Sequence, residues 1–186
     1  MRARITLVPY GLSLIVVFLV GTALSMAVPA ELAGQRVSPH ETVSATIDGA
    51  DLSITYGRPS MRGRTIMGTL VSYGHVWCPG ADEATTLTTS RPMRIGSMSL
   101  SAGSYTFWML PSADAWTLIV NTQTGQWHTR YDPQYDLGRI ELQKASLAEA
   151  IEQLTFAIDK NPTGAGGVLK MMWERTAVSA QFSIVQ

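Results

Sequence analysis

The sequence predicts an all-β fold, an antiparallel two-sheet sandwich of jelly-roll type with about nine or ten short strands, preceded by an N-terminal signal helix. Three observations carry that expectation. Apolar and polar residues alternate with period two in many short runs. Turn clusters of Gly, Pro, Asn, Asp and Ser recur about every ten residues between those runs. The long irregular stretch from Arg58 to Gly74 shows no sustained helical period.

Residues 1–30 read as a signal peptide or an N-terminal anchor. Arg2 and Arg4 precede an apolar run from Ile5 to Val20, and Ser25-Met26-Ala27 and Val28-Pro29-Ala30 offer small or aliphatic residues of the kind a signal peptidase reads. Pro9 and Gly11 interrupt the segment early, which favours cleavage. The alternative is an uncleaved anchor, because Ile5 to Val28 carries no charge and is long enough to span a bilayer. The chain is therefore expected to be exported, periplasmic or secreted, touching a membrane only through this segment if it is retained. Residues 31–39 form a polar linker, and residues 40–186 a single β-sandwich domain.

Within the domain, Val43, Ala45 and Ile47 alternate with Thr42, Ser44 and Thr46. After Asp48-Gly49, Leu52, Ile54 and Tyr56 alternate with Ser53 and Thr55. Asp-Gly between two such runs predicts a β-hairpin. Arg58 to Gly74 is irregular and rich in Gly, and Ile66-Met67 with Leu70-Val71 is expected to tuck part of it onto the core. Strands follow at Ala84–Thr89, at Met93–Leu100 as two pieces about Gly96-Ser97, at Ser104–Leu110 and at Trp116–Val120. Further strands are expected at Leu137–Leu142, Leu154–Ile158, Leu169–Trp173 and Val178–Ile184. Ser146–Glu149 reads as a single helical turn.

Composition bounds the function. Lys+Arg and Asp+Glu both count 14 in 186 residues, which argues against a general nucleic-acid binder, since such proteins carry a basic surplus. The single cysteine, Cys78, cannot form an internal disulfide. Trp-Cys-Pro-Gly at residues 77–80 lacks the second cysteine of a redox pair, and His75, the local base candidate, would point away from Cys78 on an extended segment. Asp82 and Glu83 are adjacent, so on a strand they face opposite ways and make a poor catalytic pair. His40, His75 and His128 with Asp132 and Asp136 show no tight metal-ligand spacing. No catalytic residue, metal or cofactor is assigned.

The candidate site is a cluster of opposite charges. Tyr56-Gly57-Arg58-Pro59-Ser60-Met61-Arg62-Gly63-Arg64 places three arginines in a Gly-hinged loop, and Val76-Trp77-Cys78-Pro79-Gly80-Ala81-Asp82-Glu83 brings an acid to the start of a strand. Glu83 paired with these arginines predicts a pocket lined by Tyr56, Arg58, Arg62, Arg64, Trp77 and Glu83. Its expected occupant is a small molecule, anionic or carbohydrate. The competing reading is a salt bridge that pins the loop. Among the other aromatics, Trp116 and Trp173 read as core, and Trp127, beside His128, Tyr131 and Tyr135, as the exposed stacking candidate.

These motifs resemble an uncharacterised bacterial family, number 2911 in the domains-of-unknown-function series. The resemblance rests on Ile54-Thr55-Tyr56-Gly57-Arg58-Pro59-Ser60 with Arg62-Gly63-Arg64, Tyr73-Gly74 with Val76-Trp77, and Gly80-Ala81 with Glu83-Ala84-Thr85-Thr86. Ala102-Gly103-Ser104-Tyr105 and Trp116-Thr117-Leu118-Ile119-Val120-Asn121 extend it from Ser38 to Val185. The chain departs from the family's pattern at Cys78, Pro79 and Asp82. The resemblance implies an exported or envelope-associated β-domain and no particular activity. The leading expectation is a non-enzymatic ligand-binding or envelope-associated module. The alternatives are a hydrolase or isomerase using Glu83 as general base, and a purely structural domain.

Overall fold

Nine antiparallel strands follow one another in the order β1-β2-β3-β6-β7-β8-β9-β4-β5 in the computed structural model, which describes residues 38–185. The expected signal segment and the linker up to residue 37 lie outside the described residues. The strands are β1 (His40–Ile47), β2 (Ala50–Gly57), β3 (Thr86–Thr89), β4 (Met93–Ile95), β5 (Met98–Leu100), β6 (Gly103–Pro111), β7 (Trp116–Asn121), β8 (Asp136–Lys160) and β9 (Gly167–Ile184). Among the described residues there is no α-helix. A 3-10 turn, Pro133–Tyr135, is capped by the Asp132 side chain on the Gln134 amide.

The β1–β2 hairpin forms where the sequence places it. Asp48 and Gly49 both take positive φ, 50° and 76°, as the tight turn demands. Ile47 then pairs with Ala50 and Val43 with Ile54. Alternation puts Leu52, Ile54 and Tyr56 inward and Asp51, Ser53 and Thr55 outward.

Two expectations are corrected in the second half of the chain. The strands there are not all short. Leu137–Leu142 and Leu154–Ile158 belong to one strand of 25 residues, β8, and Leu169–Trp173 and Val178–Ile184 to one strand of 18, β9. The segment Ser146–Glu149 is part of β8 and not a helical turn: Ser146 pairs with Thr176 and Ala145 with Ala177. Its Ala, Leu and Glu residues favour helix locally, but a neighbouring strand that satisfies the backbone overrides so weak a preference.

The length of β8 organises the fold. Its first part pairs with β7, from Asp136 opposite Asn121 to Leu142 opposite Trp116. From Gln143 onward it pairs with β9. Two ladders therefore share β8, and their inner faces enclose one core that includes Ile54, Leu87, Met109, Leu118, Phe156, Met171 and Phe182. Tyr56 of β2 and Phe156 of β8 meet across that core with ring centroids 4.9 Å apart at 75°.

The β8–β9 ladder is bulged. Its register shifts between Ser146 and Ile151 and again between Ile151 and Thr155, and Glu174 has φ 54°. The bulge accounts for a change of phase in the sequence: Leu169, Met171 and Trp173 point inward at odd positions, Thr176, Val178, Ala180 and Phe182 at even ones. An extra residue on one strand produces that change.

The Tyr56 hydroxyl accepts a hydrogen bond from the Phe156 amide at 3.1 Å. Tyr56→Phe removes the acceptor and leaves that N–H buried. Urea denaturation is expected to show a loss of about 1–3 kcal/mol, and a variant as stable as the parent would contradict this role.

Candidate functional site

Two sequence stretches approach each other at one end of the all-β domain, and glycines permit the approach. A Cβ built on Gly57 would lie 2.1 Å from the Ala81 carbonyl oxygen, and one on Gly80 would lie 2.5 Å from Thr85 Oγ1. The expected meeting of the arginine loop with the acid-bearing stretch therefore takes place, backbone against backbone.

The charges are partnered differently from the expected arrangement. Glu83 Oε2 lies 2.9 Å from His40 Nε2, and its backbone bridges to Trp127. Arg58 pairs with Glu41 at 2.9 Å. The Arg58 guanidinium also donates to the Leu154 carbonyl at 3.1 Å and to Thr155 Oγ1 at 3.0 Å. It thereby clamps the end of β2 to β1 and to β8.

The acids that hold the loop come from the bulged ladder. Glu152 Oε1 accepts from the Arg62 amide at 2.8 Å, and the Glu152 carbonyl accepts from the Met61 amide at 2.8 Å. The Glu174 carboxylate receives the amides of Ile66 at 3.3 Å and Met67 at 2.9 Å. Carboxylates that take backbone N–H groups in this way satisfy donors the loop cannot satisfy alone. As expected, the Ile66–Val71 piece tucks inward: Ile66 and Val71 are buried in the core, while Leu70 remains exposed. Arg62 and Gly63 take positive φ, 51° and 72°, turning the chain so that Arg64 Nε and Nη2 donate to the carbonyls of Met61 and Ser60, both at 2.9 Å.

Between this loop and the Val76–Ala81 stretch lies a cleft of about 660 Å³. Arg62 and Arg64 line it, together with Pro59, Ser60 and the Gly80-Ala81 backbone. Its aromatic walls are Trp77, Trp108, Tyr131 and Trp173. Trp77 stacks on Trp173 with centroids 6.2 Å apart at 16° and meets Trp116 edge-on at 6.3 Å. Its backbone is fixed by reciprocal hydrogen bonds with Met109, 2.8 and 2.7 Å long. On the outer side of β6, Trp108 packs with Cys78, Ala84 and Ile119 as a second small core and sits 5.1 Å from the Tyr131 ring.

Of the six residues assigned from sequence, Arg62, Arg64 and Trp77 line the cleft. Tyr56, Arg58 and Glu83 are not among its lining residues. Tyr56 belongs to the core and is 1% exposed, because the alternation that makes β2 a strand turns it inward. The lining residues that were not assigned include Trp108, His128, Tyr131 and Trp173. Trp173 reads as core from its strand pattern, and it is 1% exposed while still forming part of the wall. His128 and Tyr131 lie in the aromatic stretch noted above. There, Trp127 and Tyr135 are the exposed members, and their neighbours turn toward the cleft.

Local bonding fixes the chemistry of these groups. His128 Nδ1 lies 2.7 Å from the Asp82 carbonyl oxygen, a contact that requires the proton on Nδ1. The Tyr131 hydroxyl donates to Asp136 Oδ2 at 2.6 Å and accepts from Arg139 Nη2 at 3.1 Å. Burial and the Asp136 carboxylate push its pKa up to about 12, so it serves as a neutral donor. Cys78 is 1% exposed, and burial pushes its thiol up to about 12 as well. A thiol held protonated is a poor nucleophile. Among the described residues, no group of three or more His, Cys, Asp and Glu side chains is placed to hold a metal ion.

Fold and cleft together define an all-β domain with an arginine-rimmed, tryptophan-walled cleft at one end. The chain belongs to the family described as "Protein of unknown function (DUF2911)", whose model matches residues 38–182. Comparison with curated proteins and with solved structures returns no match.

Gly57→Ala forces a side chain onto the Ala81 backbone, and a loss of about 3 kcal/mol is expected, at the upper end of overpacking costs. A Cβ on Gly63 meets nothing within 4 Å, so Gly63→Ala should cost about 1–2 kcal/mol, from its positive φ alone. Chemical denaturation of the two variants checks the ranking, and equal losses would contradict the close approach.

Proposed function

We propose that this protein is an exported ligand-binding module whose cleft holds a small organic anion with an apolar body. The observation that carries this reading is the placement of Arg62 and Arg64 on a cleft otherwise walled by Trp77, Trp108, Tyr131 and Trp173. Its volume falls in the range of about 300–1,000 Å³ typical of small-molecule sites. The Arg64 guanidinium engages two backbone carbonyls through Nε and Nη2. An arginine has five N–H donors, so more remain for an anion. The flat indole walls suit an apolar or aromatic body, and charge-assisted bonds orient its acidic end.

Binding is favoured over catalysis because three of the candidate reactive groups are otherwise committed or lie elsewhere. The Cys78 thiol is held protonated, the Tyr131 hydroxyl is tied to Asp136, and Glu83 is outside the cleft lining. Export follows from the arrangement of Arg2, Arg4 and the apolar run to Val20.

A thermal-shift screen of the purified protein against aromatic and aliphatic carboxylates, phosphate esters and neutral sugars tests the reading. A carboxylate or phosphate ester with an apolar body should raise Tm, and at a hundredfold excess over Kd the stabilisation is about 2.7 kcal/mol. Arg64→Ala and Arg62→Ala should each weaken binding by about tenfold or more, the loss of one charge-assisted hydrogen bond. No shift with any anion, or unchanged binding by both variants, would remove the proposal.

A further inference from the structure

The outer face of β1, β2, β3 and the start of β6 carries a pattern unrelated to the cleft. Cross-strand register sets Ser44, Ser53, Thr88 and Ser104 in one row. In the next row Thr42 stands opposite Thr55 and Thr55 opposite Thr86. On the other side Thr46 stands opposite Asp51, whose amide bonds to Ser90 Oγ at 2.8 Å. Directly paired residues share a face, and the intervening Leu52, Ile54 and Leu87 are buried beneath. The hydroxyls thus form a grid with spacings of about 4.8 Å across strands and about 6.8 Å along them.

The grid is internally oriented. Thr42 Oγ1 and Thr55 Oγ1 lie 2.9 Å apart, as do Thr88 Oγ1 and Ser104 Oγ, and Thr46 donates to Asp51 at 2.7 Å. It is also nearly free of charge. Asp51 is the one ionisable side chain in these rows, whereas protein surfaces are commonly about 25–35% charged. Arg91 lies beyond the rows, beside Gly49 at the hairpin turn. The outward positions of the edge strand β1 lack the lysines that usually protect an edge. The face is also concave: a shallow groove of about 550 Å³ runs over Ser44, Thr46, Asp51, Ser53, Thr88 and Ser90.

Each hydroxyl both donates and accepts. A groove of repeated hydroxyls with no cation lacks the positive charge that favours a phosphate or an acidic polymer. It matches a ligand that repeats neutral hydroxyls along its own length. We infer that the groove across β1, β2 and β3 binds a neutral polysaccharide chain. With no aromatic platform in the rows, each sugar contributes little. Repetition along one polymer supplies the retention, and a monosaccharide does not compete.

Co-sedimentation of the purified full chain with microcrystalline cellulose and with chitin tests this inference and separates the two sources of such a chain. The protein should be retained on at least one polymer, equally at low and high salt. Thr88→Lys and Ser44→Lys, both at exposed positions, should each lower retention by about tenfold. Thr88→Ala and Ser44→Ala, which add no charge, should lower it in the same direction, and Arg64→Ala in the cleft should leave it unchanged. No retention on either polymer, retention that falls with salt, or full retention by the alanine pair would overturn the inference.

Discussion

The bulged ladder between β8 and β9 is the constraint on which the loop and the cleft depend. A regular ladder there would carry its side chains alternately into core and solvent and present none to a loop. The register shifts about Ile151 and the positive φ of Glu174 break that regularity. They bring the Glu152 and Glu174 carboxylates to the amides of Arg62, Ile66 and Met67. A loop with so little regular structure leaves many N–H groups without a ladder partner, and each buried one left unpaired is costly. Acids placed by a bulge are the solution found here, and bulges commonly re-aim side chains beside functional sites.

With the loop fixed, the cleft follows from two kinds of packing. Gly57 lets the Ala81 backbone lie against the end of β2, and Gly80 lets Thr85 Oγ1 approach its own stretch, at distances no side chain would allow. The Trp77 backbone joins β6 at Met109, and its ring stacks on Trp173. Trp173 is held in turn through its Nε1, which donates to the Glu152 carbonyl at 3.2 Å. Glu152 therefore serves both walls: its side chain steadies the arginine loop and its backbone orients an aromatic wall. A cleft so built is preformed, which would lower the entropy cost of the proposed binding.

Much of the architecture was legible in the sequence, because period-two alternation reports directly which face of a strand is buried. Asp48-Gly49 marked the first hairpin, whereas the odd-to-even change between Trp173 and Val178, which the bulge produces, read as a break between two strands. Ser146–Glu149 misled because helix propensity is local and strand pairing is not. The site was half legible. Arg62, Arg64 and Trp77 stand out by local clustering, and all three line the cleft. The pairing of Glu83 with the arginines was inferred from closeness of type and position. The acids that hold the loop, Glu152 and Glu174, lie some 90 to 108 residues away from it, and no local pattern reports such a contact. Trp108 and Tyr131 were not assigned to the pocket for the same reason, since an outer layer over β6 is created only when two distant loops fold across it.

The two faces proposed for binding differ in physical character, one aromatic and cationic, the other shallow and hydroxylated, and neither shares a residue with the other. Only the cleft depends on the bulged ladder. Native-state hydrogen exchange at the Ile66 and Met67 amides tests that dependence most directly. Both should exchange slowly in the parent protein and at least about tenfold faster in Glu174→Ala, the expected consequence of losing a hydrogen bond to a charged acceptor, while amides of β2 and β6 keep their rates. Fast exchange at Ile66 and Met67 in the parent, or rates untouched by the substitution, would contradict the account.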